Sequence, residues 1–512
     1  MKKRLMIALC CLVLLVQLLP IVPFAEQPAK AAEIPQDLYY CREALKTLDN
    51  SAALLFAYDN IVAGIDACAE EITISNHQYQ LSLDEFEMVL EATRRDHTEQ
   101  FWMGTTYTPY VNADETRVEK FVPTYTMTGA ELQDAKTAFE QAINLMLARL
   151  TPGMSEYEME KVLHDMLAVQ VSYAAAPNSH NAYGALVEGK AVCEGYAEAL
   201  QCLLQRVGIQ SIEVFGYGIN PATGIGEPHA WNIVRIDGEY YLTDLTWNDQ
   251  DTILLHAYFN QTSAILSEDH EQWRIGHKTN GEELACEVFT LPVCTATAAN
   301  YFTKENRRIT TYTVESISKL LKENDFSVHL FIDSNVAAFE AWYNENIVAI
   351  ATAAGVSGKF LYGSTQIGRE IRIYFETCAH EQLTMVKATA ATCEKDGNVA
   401  YYVCQSEGCG KWFADASAQT EIVNKESVKV FSTGHTWDRY IDESTLKEGD
   451  SYWYTCSTCG EVSTTEYFTL EPEGHVCEEV GFFAELWNAI VNFFFRLFGL
   501  PEVCTCGEII AY

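Results

Sequence analysis

The chain has 512 residues, with 34 Lys and Arg against 71 Asp and Glu, and a formal net charge of −37 at pH 7. So acidic a surface repels phosphate backbones and argues against a nucleic-acid partner, while 48% hydrophobic and 12% aromatic residues argue against wholesale disorder. The length suggests about three domains.

Residues 1–31 read as a secretory signal. Lys2, Lys3 and Arg4 precede an apolar stretch from Leu5 to Phe24, and Ala29-Lys30-Ala31 supplies a small-residue cleavage pattern. An uncleaved membrane anchor is the competing reading, against which Pro20 and Pro23 interrupt the stretch. A secreted, extracellular or cell-surface protein is the expectation. Cys10 and Cys11 leave with the signal, and the remaining cysteine count is odd, so at least one thiol stays outside any intramolecular disulfide.

Residues 32–160 read as mostly helical, in an N-terminal region over 32–125 and the start of a second domain over 126–284. Ser or Thr followed three places later by Glu marks three helix starts, at Ser82/Glu85, Thr128/Glu131 and Ser155/Glu158. After the middle one, Leu132, Ala135, Phe139, Ala142, Ile143 and Met146 recur at helical spacing, which predicts one buried face. Cys41 and Cys68 fall in this region as candidates for a bridge.

The chemistry concentrates between residues 160 and 280. Cys193 lies in Gly189-Lys190-Ala191-Val192-Cys193-Glu194-Gly195-Tyr196-Ala197, directly ahead of a helix on which Ala197, Leu200, Leu204 and Val207 share a face. A thiol at a helix N-terminus meets the positive end of the macrodipole and free N–H groups, which favour the thiolate and can hold an oxyanion. Cys202, nine residues further along, reads as a buried free thiol.

Two β-rich runs, His229 to Ile236 and Glu239 to Trp247, flank Asp237-Gly238, the strongest short hairpin signal. With those two residues as the turn, Ile236 faces Glu239 and Trp231 faces Asp244. His229 then shares the face of Trp231 and becomes the diagonal neighbour of Asp244, about 7–8 Å away between Cα atoms. A three-residue loop would put the pair on opposite faces. With the helix-capping thiol, the set reads as nucleophile, base and orienting carboxylate.

These residues resemble the transglutaminase-like superfamily of papain-fold thiol enzymes, in its bacterial extracellular branch. The resemblance rests on Tyr183-Gly184-Ala185-Leu186-Val187, Gly189 to Ala197, Gly208-Ile209, His229 to Asn232, Asp237-Gly238 and Asp244-x-Thr246-Trp247 with Asp249. It extends more weakly to His164-Asp165 and to Tyr258-Phe259-Asn260. It implies an α+β, papain-like core, with one helix bearing the thiol and an antiparallel sheet bearing His and Asp. Cys193, His229 and Asp244 are then the catalytic residues, and Tyr183 is a candidate for the oxyanion site. Trp231 and Trp247 wall the cleft or fill the core. The chemistry needs no cofactor, and a protein or peptide substrate is implied. The acyl group can pass to water or to an amine, and the motif does not choose between them. The other class of reading is a non-catalytic surface-binding or assembly protein that uses the papain-like domain as a scaffold.

Residues 285–377 read as a small α/β domain with strands at Val328–Ile332, Ile347–Ile350 and Ile371–Phe375. Cys286 and Cys294 at its entrance read as structural. Residues 378–476 form Cys/His-rich β modules in a degenerate repeat of His, β-rich residues and a Cys pair followed by Gly. Two tetrahedral zinc sets fit the spacing: His380, Cys393, Cys404 and Cys409, then His435, Cys456, Cys459 and His475. Disulfides fit equally in an exported protein. Residues 477–512 carry an amphipathic helix over 481–500, whose polar stripe Glu485, Asn488, Asn492 and Arg496 suits a membrane interface or a protein groove, and end in Cys504-x-Cys506.

Overall fold

A computed structural model describes residues 34–469 apart from 115, 221–222, 251–252, 277–288, 357–360, 377, 407–408, 419, 423–424, 436 and 439–450, together with 502–503 and 509–510. The signal, Cys286, His475 and the helix expected over 481–500 lie outside the described residues. Among the described residues no helix is long and apolar enough to cross a membrane.

The N-terminal region contains helices α1 (Tyr40–Leu45), α2 (Ser51–Asp66) and α3 (Leu83–Asp96). It is not mostly helical throughout. Strands β1 (Ile72–Thr73), β2 (Met103–Val111) and β3 (Val118–Tyr125) form an antiparallel sheet in the order β1-β3-β2. Thr, Tyr, Val and Phe dominate β2 and β3, and these stiff side chains suit a pleated surface better than a helix. Helices α4 (Gly129–Leu147) and α5 (Glu156–Gln170) follow. Ser82 and Ser155 close complete capping boxes with Glu85 and Glu158. Thr128 makes no side-chain cap, because Gly129 takes φ 61° and turns the first position out of the helical region. Leu132, Ala135, Phe139, Ile143 and Met146 are buried as their spacing predicts, while Ala142 of the same expected face is only half-buried.

A short helix, α6 (Ala182–Leu186), precedes α7 (Cys193–Arg206). The sheet beside α7 is antiparallel in the order β7-β4-β5-β6, built from β4 (Ser211–Ile219), β5 (Gly226–Ile236), β6 (Glu239–Thr243) and β7 (His270–Arg274). One hydrophobic core runs from Cys41 to Ala299, so the regions 32–125 and 126–284 share a single interior. No disulfide joins Cys41 and Cys68, and Cys202 and Cys294 are buried thiols.

A second core lies within residues 309–375. Strands β8 (Arg308–Ile309), β9 (Ser327–Ile332), β10 (Leu361–Ile367) and β11 (Glu370–Glu376) pair in the order β8-β9-β11-β10 beside α8 (Val314–Glu323) and α9 (Val336–Ala354). The strand expected at Ile347–Ile350 is instead part of α9. Phe339, Tyr343, Ile347, Ile350, Ala351 and Ala354 are buried at spacings of three or four, and a four-residue apolar run cannot by itself distinguish strand from buried helix.

The chain forms two compact units. One contains the elements above with residues 395–433, including the sheet of β12 (Leu383–Val386), β13 (Tyr401–Cys404) and β14 (Trp412–Phe413). The other contains, among the described residues, 392–394 and those from 434 on, with the sheet of β15 (Trp437–Asp438), β16 (Ser451–Cys456) and β17 (Val462–Thr469).

Candidate active site

Cys193 is the first residue of α7, with Val192 as N-cap. What fixes its position is the carbonyl of Ser179, which accepts the Val192 N–H at 2.9 Å. That carbonyl sits so close to α7 that a Cβ on Gly195 would lie 2.4 Å from it. Glycine two places after the thiol is therefore a packing requirement. Tyr196 ties the same turn down, its hydroxyl reaching Asp249 Oδ2 at 2.7 Å and the Val171 carbonyl at 3.0 Å.

The hairpin follows the predicted register. Asp237 and Gly238 both have positive φ, as a two-residue I′ turn requires, and Ile236 pairs with Glu239 and Asn232 with Thr243. His229 on β5 and Asp244, just past the end of β6, thereby meet, with His229 Nε2 2.8 Å from Asp244 Oδ2. Asp244 is fully buried and caps a short turn of helix, Leu245–Asn248, accepting the Trp247 N–H on Oδ1 at 3.1 Å. A second imidazole, His270 on β7, lies with Nε2 3.1 Å from the same Oδ2. Both carboxylate oxygens are thus engaged.

Burial alone would lower the pKa of His229. The charge and hydrogen bond of Asp244 outweigh it, and with a further contribution from Cys193 the imidazole is pushed up to about 10. Burial likewise opposes ionisation of Asp244, and His229 and His270 overcome it to hold the carboxyl well below the usual carboxylate range.

A cleft of about 240 Å³ is lined by both Cys193 and His229, together with Glu194, Phe215, Gly216 and Arg274. Cys193 packs against the apolar cluster Ala197, Phe215 and Ala230. Trp231 is fully buried, while the Trp247 ring lies tilted against His229 with ring centroids 5.4 Å apart. Tyr183 does not line the cleft. Its ring stacks on Phe101 at 4.7 Å and packs toward Phe139, which corrects the expectation that it serves an oxyanion site. Asn232 of the His-Ala-Trp-Asn run donates to the Ala197 carbonyl at 3.0 Å and so locks β5 to α7.

The weaker motif fragments are supports behind the sheet. Asn248 donates to His164 Nε2 at 3.0 Å, the carbonyl of Tyr258 accepts the Asp244 N–H, and Asn260 donates to Glu160 at 2.6 Å. Burial pushes Glu160 up to about 8, against the hydrogen bonds of Asn260 and Thr243. Sequence reasoning missed His270 and Glu160. The adjacent Asp269-His270 pair was the one local hint at the former.

The Cys/His residues of the tail assemble in sets that differ from those expected. Cys378, His380, Cys404 and Cys409 form one group, and Cys393, His435, Cys456 and Cys459 another. Cys378 thus takes the place expected for Cys393, and Cys393 takes the place expected for His475. Chain proximity assigned Cys393 to the first set, whereas residues 392–394 cluster with the second unit.

Residues 146–245 match the Transglutaminase-like superfamily. The kyphoscoliosis peptidase of Homo sapiens is 35% identical over 96 residues, 16% of this chain and 14% of that protein, and that of Mus musculus is 34% identical over 96 residues with the same coverage. The chain therefore spans only 14% of the length of these curated relatives. The crystal structure of a TGase aligns over 30% of this chain and 47% of that chain, at 16% identity and a TM-score of 0.20.

Proposed function

We propose, for a chain whose residues 146–245 belong to the transglutaminase-like superfamily, that Cys193, His229 and Asp244 carry out acyl transfer on peptide or side-chain amide bonds. The observation that carries this reading is the 2.8 Å contact between His229 and a buried Asp244, with His229 lining the same cleft as Cys193. With Nε2 committed to Asp244, Nδ1 is the nitrogen left to serve the thiol. The Cys193 proton passes to His229 and the sulfur bonds to the carbonyl carbon. Negative charge on the carbonyl oxygen is met by backbone N–H groups at the start of α7. The imidazolium then protonates the departing amine as the C–N bond breaks. Water or a second amine, deprotonated by His229, displaces the thiol and closes the cycle.

The relatives named as peptidases support a protein or peptide substrate. The leader pattern in residues 1–31 supports export, and the amphipathic pattern over 481–500 supports attachment at a cell surface. The test is incubation of the mature protein with a peptide library and a labelled primary amine, read by mass spectrometry. Cleavage or amine incorporation that disappears in Cys193→Ala is the expected result, and the product type decides the acceptor. Neither product from the unaltered protein would move the reading to a binding scaffold.

A further inference from the structure

We propose that the tail binds two zinc ions, one on Cys378, His380, Cys404 and Cys409 and one on Cys393, His435, Cys456 and Cys459, in place of disulfides. The first argument is distance. Cys378 Sγ and Cys404 Sγ lie 3.7 Å apart, as do Cys393 Sγ and Cys456 Sγ. A disulfide brings two sulfurs to about 2.05 Å, so neither pair is bonded. Two thiolates on a tetrahedral zinc, each about 2.3 Å from the metal, are separated by roughly 3.8 Å. A thiolate and an imidazole nitrogen on the same ion are separated by roughly 3.6 Å. Cys409 Sγ lies 3.4 Å from His380 Nδ1, and Cys459 Sγ lies 3.4 Å from His435 Nδ1. Within each set all four donor atoms fall within 4.8 Å of one another.

The second argument is what surrounds the donors. Each histidine turns Nδ1 to the sulfurs and presents Nε2 to a carboxylate. Glu376 Oε2 is 3.3 Å from His380 Nε2, and Glu461 Oε2 is 3.5 Å from His435 Nε2. A carboxylate on the far nitrogen fixes the tautomer and raises the basicity of a metal-bound imidazole. In both sets the second cysteine of the pair is followed by a glycine with positive φ, Gly410 at 63° and Gly460 at 74°, which turns the chain back around the sulfurs. Two sites of the same composition, tautomer, outer carboxylate and turn, sharing no residue, are not what two unrelated pairs of disulfides would leave. Three thiolates and an imidazole suit zinc over the hard cations magnesium and calcium.

The ligand order interleaves, since Cys393 lies in the chain between His380 and Cys404 but serves the second site. The second site is therefore incomplete in any segment that begins after Cys409.

Zinc per chain, measured by elemental mass spectrometry on the full-length mature protein purified without chelator, is the test. Cys404→Ser and Cys456→Ser should each lower the zinc content by one ion, and the double variant by two. Cys393→Ser should behave as Cys456→Ser does. Because a variant can fail to fold, the unaltered protein is also treated with iodoacetamide before and after a strong chelator. The eight ligand positions should include six cysteines that become alkylated only after chelation. Zinc content unchanged by the substitutions would overturn the proposal. So would iron in place of zinc, or peptide mapping that finds the six cysteines oxidised in disulfides.

Discussion

Asp244 accepts three hydrogen bonds on two oxygens, from two imidazoles and the Trp247 N–H, and its charge is what lifts His229 to about 10. Asp244→Asn removes that charge while keeping the shape. Cleavage or transfer should fall by about a hundredfold or more, and the alkaline limb of kcat/KM should move toward neutral pH as the imidazolium loses its stabilisation. An unmoved alkaline limb would show that His229 draws its charge from elsewhere. Glu160 offers a second residue-scale test. Its folded pKa of about 8 exceeds the ordinary carboxylate value, so the folded state holds a proton that the unfolded state releases. Its contribution is fully present below about pH 4.5 and is lost as pH rises through about 8. Glu160→Gln, which mimics the protonated acid, should raise the melting temperature at pH 8 relative to the unaltered protein and change it little at pH 4.5. Cys193, His229 and Asp244 were legible because a helix-start pattern and a two-residue turn encode their places locally. His270 and Glu160 were not, because their partners lie 26 and 100 residues away and no periodicity links them.

The thiol helix is positioned by what lies under its first turn. Gly195→Ala would drive a methyl to 2.4 Å from the Ser179 carbonyl, the group that anchors Val192. Relief requires that carbonyl to move, and with it the residue beside Cys193. The expected cost is about 1–3 kcal/mol, read as a lower melting temperature, together with slower iodoacetamide labelling of Cys193. Unchanged stability and labelling would mean that the loop yields freely. At this scale the sequence carried α4, α5 and the β5–β6 hairpin through spacing and turn chemistry. It misled where a short apolar run had two solutions, at Ile347–Ile350, and where β2 and β3 announce themselves by composition alone. Cys393 was assigned wrongly because metal-ligand spacing along a chain does not reveal which module a loop joins.

The N-terminal region is an integral part of the fold that holds the candidate active site, and Arg95 shows why. It projects from α3 with 8% exposure and meets Glu91 at 2.8 Å, Glu213 at 2.7 Å, Glu194 at 3.4 Å and Glu198 at 3.9 Å. Glu194 and Glu198 belong to α7 and Glu213 to β4, so one guanidinium joins the N-terminal helix to two of the elements that line the cleft. Its ring neighbour is Phe215 of the cleft wall, 4.7 Å away. Burial, with Glu213 and Glu194 beside it, pushes Glu198 well above the usual carboxylate range. Arg95→Met would strand these carboxylates in a low-dielectric interior, where losing one partner of a buried charge set costs about 3–5 kcal/mol. Urea unfolding should register that loss, and labelling of Cys193, adjacent to Glu194, should slow. Arg95→Met combined with Glu213→Gln should recover part of the stability, because the fully buried carboxylate no longer needs its counter-charge. Strictly additive losses in the double variant would show that Glu213 is not the partner on which Arg95 acts.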